Sequence, residues 1–393
     1  MKIISIATLF ALTLFNNNSA LAVESDTTFT QQLNTLKHHY RPIVLQKGTT
    51  KLVALAELQG RVMVASAGEP NSMPIGWINE SYLAGQHTNK EAIMGGASRL
   101  WFGPDAGPYS LFTEKGKEGF FVPAAVSLQP FNVTSTTTRS VRFQQTVEFT
   151  NHLGTKFKAA VDRNVVINDA SDIEKALNIA IPQNIKSVGY QVETKVTNAS
   201  NSPWEKKTGL FSIWELGSFN PSADTTIVLP LSAPINSATT YFNENKTSHI
   251  QLTDSHMYYR ADAQYMNKTG IPVAHSAPVF GSYNAKRQLL TIIKYKLNKN
   301  QKEDYVNASQ SQQSPYGGEA INIFNDGPDA EGKYFGPFFE LETSSPGLAL
   351  NPNESYQHFH NTYHFIGNEA VLNEIAEKML GVSILDIKDV FKK

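Results

Sequence analysis

Two short runs near the C-terminal end hold the densest acid–base chemistry of the chain. The first, Phe338 to Thr343 (FFELET), carries Glu340 and Glu342; the second, His358 to Phe365 (HFHNTYHF), carries His358, His360 and His364. Both read as β-strands, whose side chains alternate between faces. Glu340 and Glu342 then share one face, and Phe339, Leu341 and Thr343 the other. His358, His360, Thr362 and His364 share a face opposite Phe359, Tyr363 and Phe365. One aromatic face and one histidine face fit a sheet buried on one side, so we expect the histidines to look into solvent or a cleft. A carboxylate that takes a proton and an imidazole that gives one near neutrality make an acid–base pair. Glu342, with His358 or His360 as partner, is therefore the candidate catalytic set. The two imidazoles, about 6.5–7 Å apart along a strand, could converge on a metal with Glu340 or Glu342. Such pairs more often face substrate or water, so no metal is expected, and no cofactor.

Three further stretches carry groups suited to binding. Gly95–Tyr109, GGASRLWFGPDAGPY, places Arg99, Trp101 and Asp105 close together. Its glycines and prolines predict irregular backbone. Sugar recognition uses such a set: an indole stacks on the C–H face of a pyranose, and Arg and Asp bind hydroxyls in pairs. The plainer alternative is a core tryptophan beside an Arg–Asp pair. Tyr258–Ile271, YYRADAQYMNKTGI, supplies Arg260, Asp262 and Lys268. Arg260 and Asp262 share a face if the segment is a strand. They either clamp a ligand or form a surface ion pair worth about 0–1 kcal/mol. Gly209–Pro221, GLFSIWELGSFNP, adds Trp214. With Glu340 these residues form the expected substrate-binding set. Asn325–Glu331, NDGPDAE, lacks the alternating spacing of a calcium loop.

A family resemblance rests on these segments. LET at Leu341–Thr343, LNPNESY at Leu350–Tyr356 and the aromatic-terminated strand resemble the C-terminal signature LET(Q)…LxPGExY…YxF of aldose 1-epimerases, within the galactose mutarotase-like superfamily. On that pattern Glu342 matches the catalytic base. Asn353 stands where glycine is usual, and asparagine tolerates the same left-handed turn. VTNASNSPW at Val196–Trp204 and Asp262…Gly270-Ile271-Pro272 are similar to further elements of the family. Gly95-Gly96 is similar to the family's Gly-Gly, but the histidines that follow there are missing. Laid over the N-H-S-Y-F-N-L pattern through Leu216, the chain has Phe211 in place of the general-acid histidine. Phenylalanine cannot donate a proton. The resemblance implies an all-β supersandwich with short N- and C-terminal helices and a mono- or oligosaccharide ligand. Three roles stay open: C1 epimerisation, elimination by a polysaccharide lyase with Tyr258 or Tyr259 available, and saccharide binding without turnover.

Elements needed to position these groups are legible along the chain. Thr27–Tyr40 is a predicted helix, Lys51–Ala67 a hairpin turning at Gly60, and Arg142–Thr150 with Thr155–Ile167 a strand pair. Val188–Thr197 alternates cleanly, burying Val188, Tyr190, Val192, Thr194 and Val196. Leu289–Leu297 is another strand, and Val371–Met379 and Ile384–Phe391 are closing helices. Residues 1–22 read as a secretory signal, with Lys2, an apolar run and Ala20-Leu21-Ala22. The expected organisation is therefore signal (1–22), helix (23–44), sandwich (45–366) and helical extension (367–393), in the periplasm or outside the cell. The 393 residues include no cysteine, so a large core must replace disulfides. With 34 basic against 35 acidic residues there is no basic excess for a nucleic-acid partner. The apolar run is too short to span a bilayer.

Overall fold

The computed structural model describes residues 27–68, 72–83, 94–116, 119–301, 304–307, 314–329 and 331–392. The signal-like stretch at 1–22 and much of the polar loop at 301–313 lie outside them. Strands β1 (Ile43–Lys47), β2 (Thr50–Leu55) and β3 (Arg61–Ser66) form a small antiparallel sheet. A six-stranded sheet runs in the order β11 (Thr239–Thr240), β14 (Asn267–Pro272), β17 (Glu319–Asn325), β18 (Phe339–Ser344), β9 (Ser212–Phe219), β4 (Arg99–Gly103). A ten-stranded sheet begins with β12 (Ile250–Leu252), β13 (His256–Arg260), β10 (Thr225–Pro230), β15 (Val279–Asn284) and β16 (Leu289–Tyr295). It continues through β19 (Ser355–Ile366), β8 (Lys186–Asn198), β7 (Lys156–Asn168), β6 (Ser140–Thr150) and β5 (Asn132–Thr136). The ladders are antiparallel throughout these strands, as an all-β sandwich of alternating apolar strands requires.

The two large sheets face each other across one continuous core, to which β8 gives Val188, Tyr190, Val192 and Val196. The outer side of the ten-stranded sheet is covered at one end by helices Ala170–Leu177, Glu369–Leu380 and Ile384–Asp389. Their apolar stripes pack on Tyr363 and Phe365 of β19 and on Leu290 and Ile292 of β16. Helix Phe29–His39 starts at Thr28, whose hydroxyl and the Gln31 side chain cap each other's backbone. It packs on the small sheet through Phe29 and Leu36. Among the described residues no helix is long and apolar enough to cross a membrane.

Two expectations are corrected here. Arg99 and Trp101 sit within a strand, β4, not on irregular backbone; the positive-φ glycines Gly95 and Gly96 fall just before it. The histidine face of β19 meets neither solvent nor a cleft. Both faces of that strand are covered, one by the helices and the other by the six-stranded sheet, so His358, His360 and His364 are fully buried between sheets. Asn353 has φ of 67°, the left-handed turn expected where the related signature carries glycine.

Candidate functional site

Register alone assembles the site. Glu342 of β18 faces Leu216 of β9 on one side and Asn322 of β17 on the other, and Glu340 faces Ser218 and Phe324. Directly paired residues share a face. Lys268 of β14 pairs with Phe324, and Arg99 and Trp101 of β4 pair with Leu216 and Trp214. Glu340, Glu342, Arg99, Trp101, Trp214 and Lys268 therefore stand together on the outer face of the six-stranded sheet, away from the ten-stranded one. This face is polar where a solvent-shielded sheet face is normally apolar.

Its contacts are specific. Arg99 Nη2 donates to Glu340 Oε1 at 2.9 Å, and Ser218 Oγ donates to the same oxygen at 2.7 Å. The Trp214 indole N–H donates to Glu342 Oε2 at 2.9 Å, with Lys268 Nζ 3.7 Å from that oxygen. Lys268 Nζ lies 4.0 Å from the Trp214 ring centroid and 5.4 Å from that of Tyr241. Arg99 lies over Trp101, 5.2 Å from its centroid. Trp101 in turn stacks on Phe112 at 4.7 Å. Tyr241 donates its hydroxyl to Glu319. Asp105, half-buried on the turn after β4, acts electrostatically on Lys268, Tyr241 and Glu342.

Burial sets the protonation of these groups. Glu342 is 1 % exposed, and desolvation, against the pull of Lys268, pushes its carboxyl up to about 7. Glu340 and Asp105 add to that rise, while Arg99 opposes it. Burial likewise raises Asp105 and Glu319, and it lifts Tyr241 well above the usual phenol value. Glu342 Oε1 has no hydrogen-bond partner, nor does Asn322 Oδ1 opposite it. A carboxyl that is half-ionised near neutral pH, with one oxygen free, is equipped to exchange a proton with a ligand. Among the described residues no group of three or more His, Asp or Glu side chains is arranged to hold a metal ion.

Residues 27–391 match the family DUF6786, described as a family of unknown function. The chain belongs to that family. No curated protein matches it. The solved structures it is similar to include the kind that the sequence resemblance named. One is an Escherichia coli K12 protein provisionally assigned as an aldose 1-epimerase, with 14 % identity, a TM-score of 0.48, and coverage of 82 % of this chain and 98 % of that one. Another is a galactose mutarotase-like protein from Lactobacillus casei, with 12 % identity, a TM-score of 0.48, and coverage of 82 % and 100 %. A galactose mutarotase related enzyme from Lactobacillus acidophilus has 13 % identity, a TM-score of 0.46, and coverage of 84 % and 99 %.

This DUF6786 chain does not bring all the sequence-derived candidates to one place. His358 Nε2 and His360 Nδ1 both meet Thr343 Oγ1, at 3.0 and 2.9 Å, on the side of β18 opposite Glu342. Burial lowers each of them to about 3, so they are neutral rings in a core and cannot serve as the acid for Glu342. Arg260 stacks on Phe391 near the C-terminus and donates to its carbonyl oxygen at 3.1 Å. Asp262 sits 3.4 Å from His249, and accepts from the Gln264 backbone N–H at 2.9 Å. Arg260 belongs to the ten-stranded sheet and Asp262 follows it, so neither shares the face of Glu342. Tyr259 donates to the Asn267 carbonyl oxygen at 3.2 Å, also within the core. Phe211 precedes β9 and is buried against Phe102, Phe149, Phe157 and Trp204; the β9 side chain that hydrogen-bonds Glu342 is Trp214. Sequence reasoning missed Ser218, Tyr241, Glu319 and Asn322. Ser218 lies on β9, within a stretch the sequence singled out, whereas Glu319 and Asn322 lie on β17, which no spacing marked, and Tyr241 follows a two-residue strand with no periodicity to mark it.

Proposed function

We propose that the chain binds a saccharide on the outer face of its six-stranded sheet and that Glu342 exchanges a proton with it, in the manner of an aldose 1-epimerase. The observation that carries this reading is the Glu342 carboxyl. It is buried and raised to about 7, and is held at one oxygen by the Trp214 indole while the other is left free. Trp101 and Trp214 stand beside it as indoles, the ring type that stacks on a pyranose, with Phe112 packed on the first and Lys268 over the second. Arg99 fixes Glu340 beside them. The LET…LNPNESY resemblance, with Glu342 at the position of the base, supports the same assignment. At C1 of an aldose, Glu342 takes the proton of the anomeric hydroxyl. Ring opening also requires a proton at the ring oxygen, and the nearest ammonium to Glu342 is Lys268, 3.7 Å away. Export to the periplasm or beyond, read from the signal-like residues 1–22, is part of this proposal.

Binding without turnover is the second reading, favoured by one feature. Next to Glu342 stands Trp214, whose N–H donates a hydrogen bond but does not give up a proton. The test is NMR exchange spectroscopy on a panel of aldose anomers and short oligosaccharides, with the wild type and Glu342→Gln. Catalysis predicts exchange that Glu342→Gln abolishes. Shift perturbation without exchange assigns a binding protein. Neither exchange nor perturbation with any saccharide would remove both readings.

A further inference from the structure

The centre of the outer face presents almost no surface: Glu342 is 1 % exposed, Trp214 3 % and Trp101 4 %. A ligand therefore meets the rim first. Among the described residues eight large apolar side chains are exposed, four of them aliphatic and four phenylalanines. The aliphatic ones are scattered, with Val44 on β1, Val133 on β5, Leu153 between β6 and β7, and Leu385 on the last helix. Exposed side chains spread singly in that way need no explanation. The phenylalanines, by contrast, all border the outer face.

On one side Phe120 stacks on Phe112, with ring centroids 5.3 Å apart, and Phe112 stacks on Trp101. Phe121 donates its backbone N–H to the Phe112 carbonyl oxygen at 2.9 Å. On the other side Phe242, 57 % exposed, and Phe335, 45 % exposed, pack on Phe324 at 6.0 and 6.5 Å. Phe324 is the register partner of both Glu340 and Lys268. The strands that carry Phe324 and Trp101, β17 and β4, are three ladder steps apart, about 14 Å. A single pyranose ring cannot touch both sides at once. Nor do the two sides merge into one apolar patch for a protein partner, because Glu340, Glu342 and Ser218 lie between them. The loop that carries Phe335 holds Asp329 and Glu331 against Lys333, the wrong balance for an anionic membrane.

We infer that this face takes a glycan of several linked rings, not a free monosaccharide. Its units stack on Phe242 and Phe335 at one side and on Phe120 and Phe121 at the other. The inference rests on the saccharide reading above and deepens it. A flat aromatic ring left in water matches the C–H side of a sugar, which explains why the rim exposes phenylalanine where the rest of the surface exposes only isolated aliphatic groups. Polar groups between the two sides leave the middle of the chain to hydrogen bonding. Binding energy then comes from several separate stacking contacts, so affinity grows with the number of rings.

The experiment titrates the full chain with gluco-, manno-, galacto- and xylo-oligosaccharides, each as a series from the monosaccharide to about six units, read by NMR shift perturbation. In the series that binds, affinity is expected to rise about 10-fold or more from the shortest member to the longest, two aromatic contacts being worth about that. The double variant Phe242→Ala, Phe335→Ala should lose about 10-fold for the longest member and stay within about 2-fold of the wild type for the monosaccharide. Both side chains are exposed, and a melting curve checks that the variant is folded. A folded double variant that binds the longest member as tightly as the wild type would overturn the inference. So would monosaccharides binding as tightly as long chains, which leaves the saccharide reading standing. A wild type that self-associates in sedimentation through these rings, with no gain from chain length, would give the rim to a second copy and overturn it too. No binding by any series would overturn both readings.

Discussion

The two faces of the six-stranded sheet bury charge in opposite ways. On the inner face Arg163 donates to Glu215, to Thr194 Oγ1 at 2.9 Å, to Ser98 Oγ at 3.3 Å and to the Gly60 carbonyl at 3.2 Å. Glu215 also accepts from Thr194 at 2.7 Å and Ser98 at 3.3 Å. That ion pair is fully enclosed and spent on structure. The neighbouring His358, His360 and His364 are held neutral by desolvation, each with one ring nitrogen bonded to a threonine. On the outer face the ionisable group is itself the unsatisfied one, Glu342, and burial holds it near the middle of its titration. Glu342 and Thr343 are consecutive, yet one opens on the candidate site and the other cements the core. Burial of a polar side chain thus says little about function, and unmet bonding does not separate the faces either, since His358 Nδ1, His360 Nε2 and His364 Nε2 also lack partners. What separates them is charge, a paired Arg163–Glu215 and neutral rings inside against a carboxyl raised to about 7 outside.

The largest effect that separates them comes from acid. The folded-state values of the three histidines lie at about 3, below the ordinary 6.5. The unfolded chain therefore takes up protons that the folded chain refuses. Their stabilising contribution is full above pH 6.5 and falls as pH drops toward 3, by up to about 1.4 kcal/mol per pH unit for each ring. Glu342 acts in the opposite sense, its contribution being lost as pH rises from 4.5 through 7. Urea midpoints between pH 7 and 4.5 should decline, and His364→Phe should flatten that decline. A flat profile for the wild type would contradict the neutral-core assignment.

Breaking the enclosed pair comes next. Arg163→Met strands Glu215 in the core and should cost about 3–5 kcal/mol in chemical denaturation. A loss under about 1 kcal/mol would mean that water reaches the pair. Smaller again is Thr343→Val, which removes the hydroxyl shared by His358 and His360 and should cost about 1–3 kcal/mol. Neither substitution touches the outer face, so ligand affinity at a temperature where the variant is folded should be unchanged. The smallest stability effect belongs to Glu342→Gln. It removes a buried, half-satisfied carboxyl and should leave stability at pH 8 unchanged or raised by about 0.5–2 kcal/mol, as replacements at functional sites often do. A loss of several kcal/mol would place Glu342 with the structural charges of the inner face.

Strand alternation made much of this legible in advance. The common face of Glu340 and Glu342, the buried row of β8 and the left-handed turn at Asn353 follow from residue types and period-two spacing. What spacing cannot supply is which face of a strand is covered twice. His358 and His360 looked cleft-facing because the opposite residues are aromatic, but the helices at Ala170–Leu177 and Glu369–Leu380 cover that aromatic side. The other side is then free to meet the second sheet. Arg99 and Trp101 were picked out by side-chain chemistry, although the glycines around them disguised a strand. Arg260 and Asp262 had the right chemistry in the wrong sheet, a matter of long-range pairing that local sequence does not encode. Tyr241, Glu319 and Asn322 were silent because their role depends on a register fixed only when β14 and β17 pair.

The most direct test of the central claim is a pair of measurements on one variant: saccharide affinity and melting temperature of Glu342→Gln beside the wild type. The account predicts at least a 10-fold loss of affinity, about 1.4 kcal/mol, with a melting temperature equal to or above that of the wild type. Unchanged affinity with a lowered melting temperature would contradict it, making Glu342 one more buried charge that holds the sheets together.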